Sequence, residues 1–549
     1  MMVLLSEEAA REHGAPIIAE ILGYSLSADG YHPTAPHPEG QGAGRAIKGA
    51  LRAAGVDPND VAYVNSHGTG TAKNDPAETA ATKVGLGQHA YETAVSSTKS
   101  MIGHLLGAAG AVENVITVKA VEEQVAPPTA NYREPDPECD LDYVPNQPRE
   151  LPIPVAVSNN FAFGGANASV VWAKANGRSE APPLPNLDRV VVTGVATLTS
   201  AGTDPQEVLS AFKEQKQVTR AANGTWVGRP DFDPAEFMSP KERRRVDRLG
   251  VWSIIAARQA LKDAALEVTE ENRGRVGAII GTGVGPMESM EAFSRPVFDE
   301  GPAAANPAVF PNTVWNAAGG QVAMQVGVVG VTSTVTAGHA AGAQSLSYAY
   351  DLLRTDHADA VVALATDTMT DAVIQAYQDL GVLTKSEPGS ADAHGFALAE
   401  GSVGLVLERL SHAQARGATP LAEVLGYAVT SDAEGVGRVD PEGKGIEAAM
   451  RSALERAGLQ PADIGTIWAN ASGLEVVDEA ERQAIERVFG DGANVVKPKL
   501  LFGEPMGMGG SLNAALAVQS WRSGEDGRPA LVNSLSLGGT NIAIVLGPQ

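Results

Sequence analysis

Short apolar runs alternate with amphipathic stretches along nearly the whole chain. Ile17–Leu22 and Val61–Ser66 have the length and β-branched content of strands. Arg45–Ala54 carries helical spacing and stops at Gly55, where a helix takes a glycine cap, and Asp75–Leu86 reads as a second helix. Val155–Ser158 and Ala168–Trp172 predict a closing strand pair around a Gly-Gly turn. Strands interleaved with helices predict a layered α/β fold. The pattern lapses over 175–188, which is polar, Pro-rich and aperiodic, as a linker is. A new strand starts at Arg189-Val-Val-Val, followed by a helix over Arg248–Ala264 and strands over Val276–Ile280 and Ala360–Leu364.

The second feature is an unequal repeat. The stretch Val3–Asn167 recurs, diverged, as Val406–Asn541. Gly14-Ala15 through Gly23-Tyr24 matches Gly417-Ala418 through Gly426-Tyr427. His67 then falls opposite Asn470, Asp75 opposite Asp478 and Glu78 opposite Glu481. After a three-residue deletion Lys99 falls opposite Lys499, His104 opposite Glu504 and Gly107 opposite Gly507. Glycine turns and apolar strands survive in both copies, so the backbone requirement is shared. The histidines survive in one copy only, so the chemistry is not. The expected organisation is a half-domain over 1–178, a linker over 179–188, and a second unit with an N-half at 189–410 and a C-half at 411–549.

Composition narrows the function classes. The 549 residues are 44% apolar, ordinary for a folded protein with more than one domain. The net charge of −24 argues against nucleic acid as the main partner. A single cysteine, Cys139, leaves no intrachain disulfide to form and fits a reducing compartment. The first residues lack a basic signal-peptide region, and no uncharged apolar run reaches membrane-helix length. A cytoplasmic protein without membrane association is the expectation.

His67-Gly-Thr-Gly-Thr71, Lys99, Gly103-His104 and Asn159-Asn-Phe-Ala-Phe-Gly-Gly-Ala-Asn167 stand in an order and spacing that resemble the C-terminal half of β-ketoacyl synthases. Ala162 is the one departure in the last motif, where glycine is usual. The resemblance implies a thiolase-like fold layered α-β-α-β-α, and decarboxylative Claisen condensation. In that chemistry an acyl chain sits as a thioester on a cysteine, and the enolate formed by decarboxylation of a malonyl thioester attacks it. His67 and His104 would stabilise the enolate oxygen. Lys99 would hold the histidine geometry with Glu78 as its ionic partner. Phe163 would gate the acyl tunnel and complete the oxyanion hole through its N–H, and Gly164-Gly165 would permit the turn. The chain itself would bind no cofactor and no metal; substrates would arrive on the phosphopantetheine of an acyl carrier protein.

The family's cysteine belongs to the N-half, at a strand-to-helix turn. Cys139 instead lies in the acidic Pro135-Asp-Pro-Glu-Cys-Asp-Leu-Asp loop, which raises a thiol pKa, and reads as structural or incidental. The second unit does carry the turn, as Val335-Thr-Ala-Gly-His-Ala-Ala-Gly342, but with His339 at the cysteine position. With Asn470 and Glu504 it lacks all three reactive groups and resembles a chain length factor, the inactive ketosynthase-like subunit of type II polyketide synthases, in which glutamine is the usual residue at 339. Met1–Leu5 looks like the middle of the family's Gly-Val-x-Leu-Val-Leu-Glu strand, so the resemblance implies a ketosynthase part truncated before Met1 by a misassigned start or a split gene.

The expected function is therefore a ketosynthase/chain length factor component of a type II polyketide synthase. Its partners would be an acyl carrier protein and a ketosynthase subunit or N-half that supplies the cysteine, in a dimer. Two other classes stay open: a non-catalytic scaffold that shapes the tunnel of a partner ketosynthase, and a decayed fatty-acid-type condensing enzyme. Lys241, Arg244 and Arg245, in the one basic cluster of an acidic chain, are candidates for docking the carrier. Gly281-Thr-Gly-Val-Gly285 follows a strand but lacks the glycine spacing and the later acidic residue of a dinucleotide fingerprint, so a nucleotide role is rejected.

Overall fold

In the computed structural model, residues 1–175, 187–435, 437–525 and 527–549 are described; the linker expected over 179–188 lies outside them except for its last two residues. The chain forms two compact units, Met1–Leu184 with Val328–Thr332, and Pro185–Gly327 with Ser333–Gln549.

Unit 1 is built on five strands: β1 (Ala19–Ala28), β2 (Val61–Asn65), β3 (Ala94–Ser96), β4 (Val155–Ala162) and β5 (Ala166–Lys174). They pair in the order β1-β5-β4-β2-β3. Helix α1 (Gln41–Ala54) lays Ala43, Ile47, Ala50, Leu51 and Ala54 on one side of that sheet, against Val64, Val157 and Val171. The i, i+4, i+7 spacing of these residues is the stripe that a half-buried helix needs. Gly55 caps it with φ of 58°, which a side chain would strain. Helix α2 (Asn74–Leu86) lies beside α1, and α3 (Ala109–Glu123) covers the other side of the sheet.

Unit 2 repeats this plan after a longer prelude. Its ten main strands are β6 (Val190–Leu198), β7 (Val276–Gly281), β8 (Thr332–Val335), β9 (Ala360–Asp367), β10 (Gly401–Arg409), β11 (Ala422–Ser431), β12 (Thr466–Trp468), β13 (Val495–Val496), β14 (Ala530–Leu535) and β15 (Thr540–Pro548). They form one ten-stranded sheet, β8-β7-β9-β10-β6-β11-β15-β14-β12-β13. The last five reproduce the order of unit 1 strand for strand. Even the irregularity is copied: β1 bulges between Ile21 and Gly23, β11 between Val424 and Gly426. The family fold of strand layers sandwiched by helices is thus complete in unit 2, with α4 (Arg248–Asp263), α5 (Ala341–Arg354), α6 (Lys444–Ala457), α7 (Glu475–Phe489) and α8 (Gly509–Arg522) packed on the sheet.

The halves of unit 2 meet where β6 pairs with β11 over Ala422–Val424. There Arg189 Nε donates to Glu423 at 2.8 Å. The matching edge of unit 1, Ala19–Ile21 on β1, ends its sheet. Ile21 is 43% exposed where its counterpart Val424 is 4% exposed, and Glu20, the counterpart of Glu423, has no ion pair among the described residues. The helix layer tells the same story. Residues 101–108 are all exposed, whereas 502–509 are all buried; Leu106 is 78% exposed and Met506 0%. Helix α3 leaves Val112, Val115, Ile116 and Val118 half-buried, while in α8 Ser511–Ser520 are buried without exception. Met1–Leu5 is not a strand, contrary to the sequence reading. Its counterpart in β10 is paired on both sides, by β9 and β6, and unit 1 holds neither neighbour to satisfy the backbone.

Expressed separately, 186–549 should unfold cooperatively and resist protease, and 1–178 should aggregate or be cut rapidly within 101–124. Limited proteolysis and hydrogen exchange of the two fragments check this; a soluble, cooperatively unfolding 1–178 monomer would contradict the half-domain organisation.

Candidate functional site

His67 follows directly on β2, at the sheet's carboxyl edge, where the chain leaves the ladder through a glycine-rich loop. Helix α2 fastens that loop. Glu78 accepts from His67 N–H and Gly68 N–H at 2.7 Å each, and Asp75 accepts from Gly70 N–H at 3.2 Å. Burial pushes the Glu78 carboxyl up to about 7, against the pull of those two amides and of Lys99. Glu78 therefore holds the loop's backbone and is not the lysine's ion-pair partner, which corrects the sequence reading.

Lys99 pairs with Glu113 of α3, Nζ to Oε1 at 2.5 Å, with both side chains almost fully buried. The other Glu113 oxygen accepts from Asn160 of β4 at 3.0 Å. A buried lysine without a counter-ion is costly, so this pair fixes α3, the Lys99–Ile102 turn and β4 to one another.

His104 comes after Gly103 (φ 79°) and is exposed. Its Nδ1 accepts from Leu106 N–H at 3.1 Å, which leaves the proton on Nε2. The two imidazoles stand edge to face with ring centres 5.5 Å apart, and Phe161 packs 5.7 Å from His67. His67 is held down to about 3, first by burial, then by Lys99 and His104, so it is neutral at physiological pH. Its Nδ1 is buried without a hydrogen-bond partner among the described residues. Beyond β4, Gly164 and Gly165 turn the chain with φ of 79° and 75°, and Phe163 stands 43% exposed.

Beside His104 opens a cavity of about 660 Å³. Thr69, Thr71, Lys99, His104, Tyr143 and Cys139 are among its walls. The position of Cys139 on that wall escapes sequence reasoning, because the 129–143 segment has no periodicity to orient it. Burial pushes the Cys139 thiol up, and Asp136, Asp75 and Glu138 add to this against a hydrogen bond with Thr79. A thiol in that field is a poor nucleophile.

The matching site of unit 2 is buried and lacks both histidines that unit 1 keeps, with Asn470 and Glu504 in their places. His339 occupies the short turn before α5 and is buried. Its Nε2 bonds Tyr377 Oη at 2.8 Å and its Nδ1 stands 3.6 Å from Glu504. Glu504 instead grips Lys499 at 2.9 Å, and Lys499 donates to Asn470 Oδ1 at 2.7 Å. Asn470 is held at its own N–H by Glu481, as His67 is by Glu78. Burial pushes Glu481 up to about 7, the value of its counterpart.

The amides of the glycine turn after β7 are taken up within the protein. Gly283 N–H and Val284 N–H donate to buried Asp367, which also takes Gly507 N–H from the second half at 2.7 Å. Lys241, Arg244 and Arg245 lie around the short, Ser239-capped helix before α4, are exposed, and form no ion pair among the described residues. Among those residues no group of three His, Cys, Asp or Glu is placed to hold a metal, and no helix is long and apolar enough to cross a membrane.

Comparison with known proteins follows this architecture. The β-ketoacyl synthase C-terminal domain matches twice, over residues 18–133 and 421–524, and the β-ketoacyl synthase N-terminal domain once, over 187–413. The 3-oxoacyl-[acyl-carrier-protein] synthase 2 of Synechocystis is 53% identical over 174 residues, 32% of this chain and 42% of that protein. The chain thus spans about two fifths of the length of the curated relatives it matches. Among solved structures, the PfaC keto synthase-chain length factor covers 99% of this chain and 63% of its own with a TM-score of 0.81 at 18% identity, a likeness of fold. The ishigamide ketosynthase/chain length factor has a TM-score of 0.60 at 26% identity, over 66% of this chain and 99% of its own. With the two-histidine site, the doubled C-terminal domain and the nucleophile-type turn before α5, these matches place the chain in the β-ketoacyl synthase family.

Proposed function

We propose that the chain is a ketosynthase/chain length factor component of a type II polyketide synthase. Unit 1 supplies the acid/base half of the condensing site, and unit 2 acts as the chain-length-factor partner. The observation that carries this reading is the contrast between the two equivalent sites. Unit 1 keeps two imidazoles in contact, with His104 on the wall of an open cavity. Unit 2 fills the same positions with a lysine–glutamate pair and an asparagine. Similarity to the ishigamide ketosynthase/chain length factor supports the pairing of such units.

In this reading a malonyl thioester on a carrier's phosphopantetheine enters beside His67 and His104. The C–C bond to the carboxylate breaks, CO₂ leaves, and the electron pair becomes the enolate. His67, neutral because of its burial, and His104, with its proton on Nε2, each offer an N–H to the enolate oxygen. The enolate carbon then attacks an acyl thioester, and the thiolate leaves as the new ketone forms. Cys139, with its raised pKa, is a poor candidate for that thiolate. The thiol comes from a β-ketoacyl synthase N-half that covers α3, residues 101–108 and the β1 edge. Exposed Lys241, Arg244 and Arg245 offer an acidic carrier protein a docking surface. The scaffold reading keeps one observation in its favour, the unreactive Cys139, and the assay below separates the two.

Alone, the chain should not condense malonyl-carrier and acyl-carrier substrates. With a Cys-bearing N-half supplied, it should. His67→Ala and His104→Ala should then each cost about 10²–10³-fold in rate, and Asn470→Ala and Glu504→Gln far less. Equal losses from both sets, or condensation by the chain alone that vanishes with Cys139→Ala, would overturn the assignment.

The buried neutral state of His67 also sets a pH dependence. The unfolded imidazole takes up a proton near 6.5, the folded one only near 3. The folded form binds fewer protons in that window, so this contribution to stability is fully present above pH 6.5 and is lost as pH falls toward 3. Urea midpoints of wild type and His67→Asn between pH 7.5 and 5 should show a steeper fall for wild type, by at most about 1.4 kcal/mol per pH unit. Parallel curves would mean that His67 is protonated in the fold.

A further inference from the structure

The two equivalent sites differ by more than lost histidines; one carboxylate has changed place. In unit 1 the counter-ion of the buried lysine sits on the helix, at Glu113 of α3. In unit 2 the matching residue of α8 is Asn513, whose Oδ1 is buried with no hydrogen-bond partner among the described residues. The register of the closing strands sets Asn159 opposite Ser169 and Asn533 opposite Ala543, so Asn160, the other clasp on Glu113, corresponds to Ser534. Ser534 Oγ is likewise buried and without a hydrogen-bond partner among the described residues. Two orphaned polar atoms therefore line the place where unit 1 holds a carboxylate. The lysine remains: Lys499 is fully buried, and its Nζ now takes its carboxylate from Glu504, at the position His104 holds in unit 1.

We infer that Glu504 and Asn513 are a compensating pair: the negative charge that a buried Lys499 requires has moved from the helix into the reaction site, and there it keeps unit 2 shut as a structural joint. Glu504 Oε1 also stands 3.6 Å from His339 Nδ1 of the nucleophile-type turn without a hydrogen bond, and its backbone N–H donates to Ala397 O, so the segment that carries the relocated charge is joined through its main chain to the first half. One consequence is directional. Returning position 504 to histidine removes the one carboxylate bonded to a buried ammonium among the described residues and leaves it Asn470 Oδ1, with Asp478 and Glu481 as acidic neighbours already held by backbone amides, which a lone substitution cannot survive cheaply. Restoring a carboxylate at 513 must come with it. This inference rests on the geometry of the two sites and stands whether or not the chain condenses substrates.

The test is hydrogen exchange over 497–510 in the full chain. Glu504→His should raise opening there by about 10²–10³-fold, the cost expected for stranding one partner of a buried pair. Adding Asn513→Glu should recover most of that protection, although Asn513→Glu alone, which crowds a second carboxylate around one lysine, should stabilise nothing. Adding Lys499→Met to Glu504→His should also recover protection, because it removes the stranded charge rather than pairing it. If Glu504→His fails to accumulate as folded protein, folded double variants where the single is lost are the same result. Unchanged exchange in Glu504→His, or a loss that neither Asn513→Glu nor Lys499→Met repairs, would show that Glu504 acts through its shape and not as the lysine's counter-ion.

Discussion

A buried ammonium must be given a negative partner, and in both units that requirement organises everything around the site. Lys99 and Lys499 occupy equivalent turns, are both buried, and each draws a carboxylate to within 3 Å. The desolvation cost of such a charge runs to several kcal/mol, so the partner cannot be omitted, only relocated. With the carboxylate on the helix at Glu113, position 104 stays free for a histidine on the cavity wall. With the carboxylate at Glu504, the equivalent position holds the counter-ion and is buried.

The second constraint is the seam between halves. In unit 2 a short ladder between β6 and β11, the Arg189–Glu423 pair and the Asp367 carboxylate hold the halves together. Asp367 collects amides from the Gly283–Val284 turn and from Gly507, which is why a glycine turn that resembles a phosphate cradle is already fully employed. Unit 1 presents the receiving side of the same seam: a bulged β1 edge, an apolar α3 and an exposed 101–108 turn.

Much of this was legible in the sequence, for definite reasons. The strands of unit 2 are runs such as Ala360-Val-Val-Ala-Leu364, buried on both faces, where burial requires unbroken apolar residues. Helix α1 announces itself by stripe and glycine cap. The repeat reveals which positions are backbone needs and which are chemistry. The counter-ion of Lys99 was not legible. Glu78 and Glu113 are both acidic, both on helices, and both buried, and only the fold shows that the first is consumed by loop amides. The cavity wall at Cys139 was hidden for a different reason, since an aperiodic loop carries no signal of where its side chains face. Met1–Leu5 misled because strand propensity is realised only where a neighbouring strand offers its ladder.

The short ladder between β6 and β11 has a consequence for any half that covers unit 1. In unit 2 the ladder with β6 stops at Val424, and the halves meet elsewhere through separate main-chain bonds, among them Leu421 N–H to Val192 O, Gly395 N–H to Gly473 O, Ala399 N–H to Glu504 O and Glu504 N–H to Ala397 O. The expense of separation is therefore shared between these main-chain groups and side chains, which in unit 1 are apolar ones on α3 and the 101–108 turn and one acid on β1. What a covering half must meet in unit 1 is set by those side chains, and they limit how far the sequence on the other side of such a seam can drift.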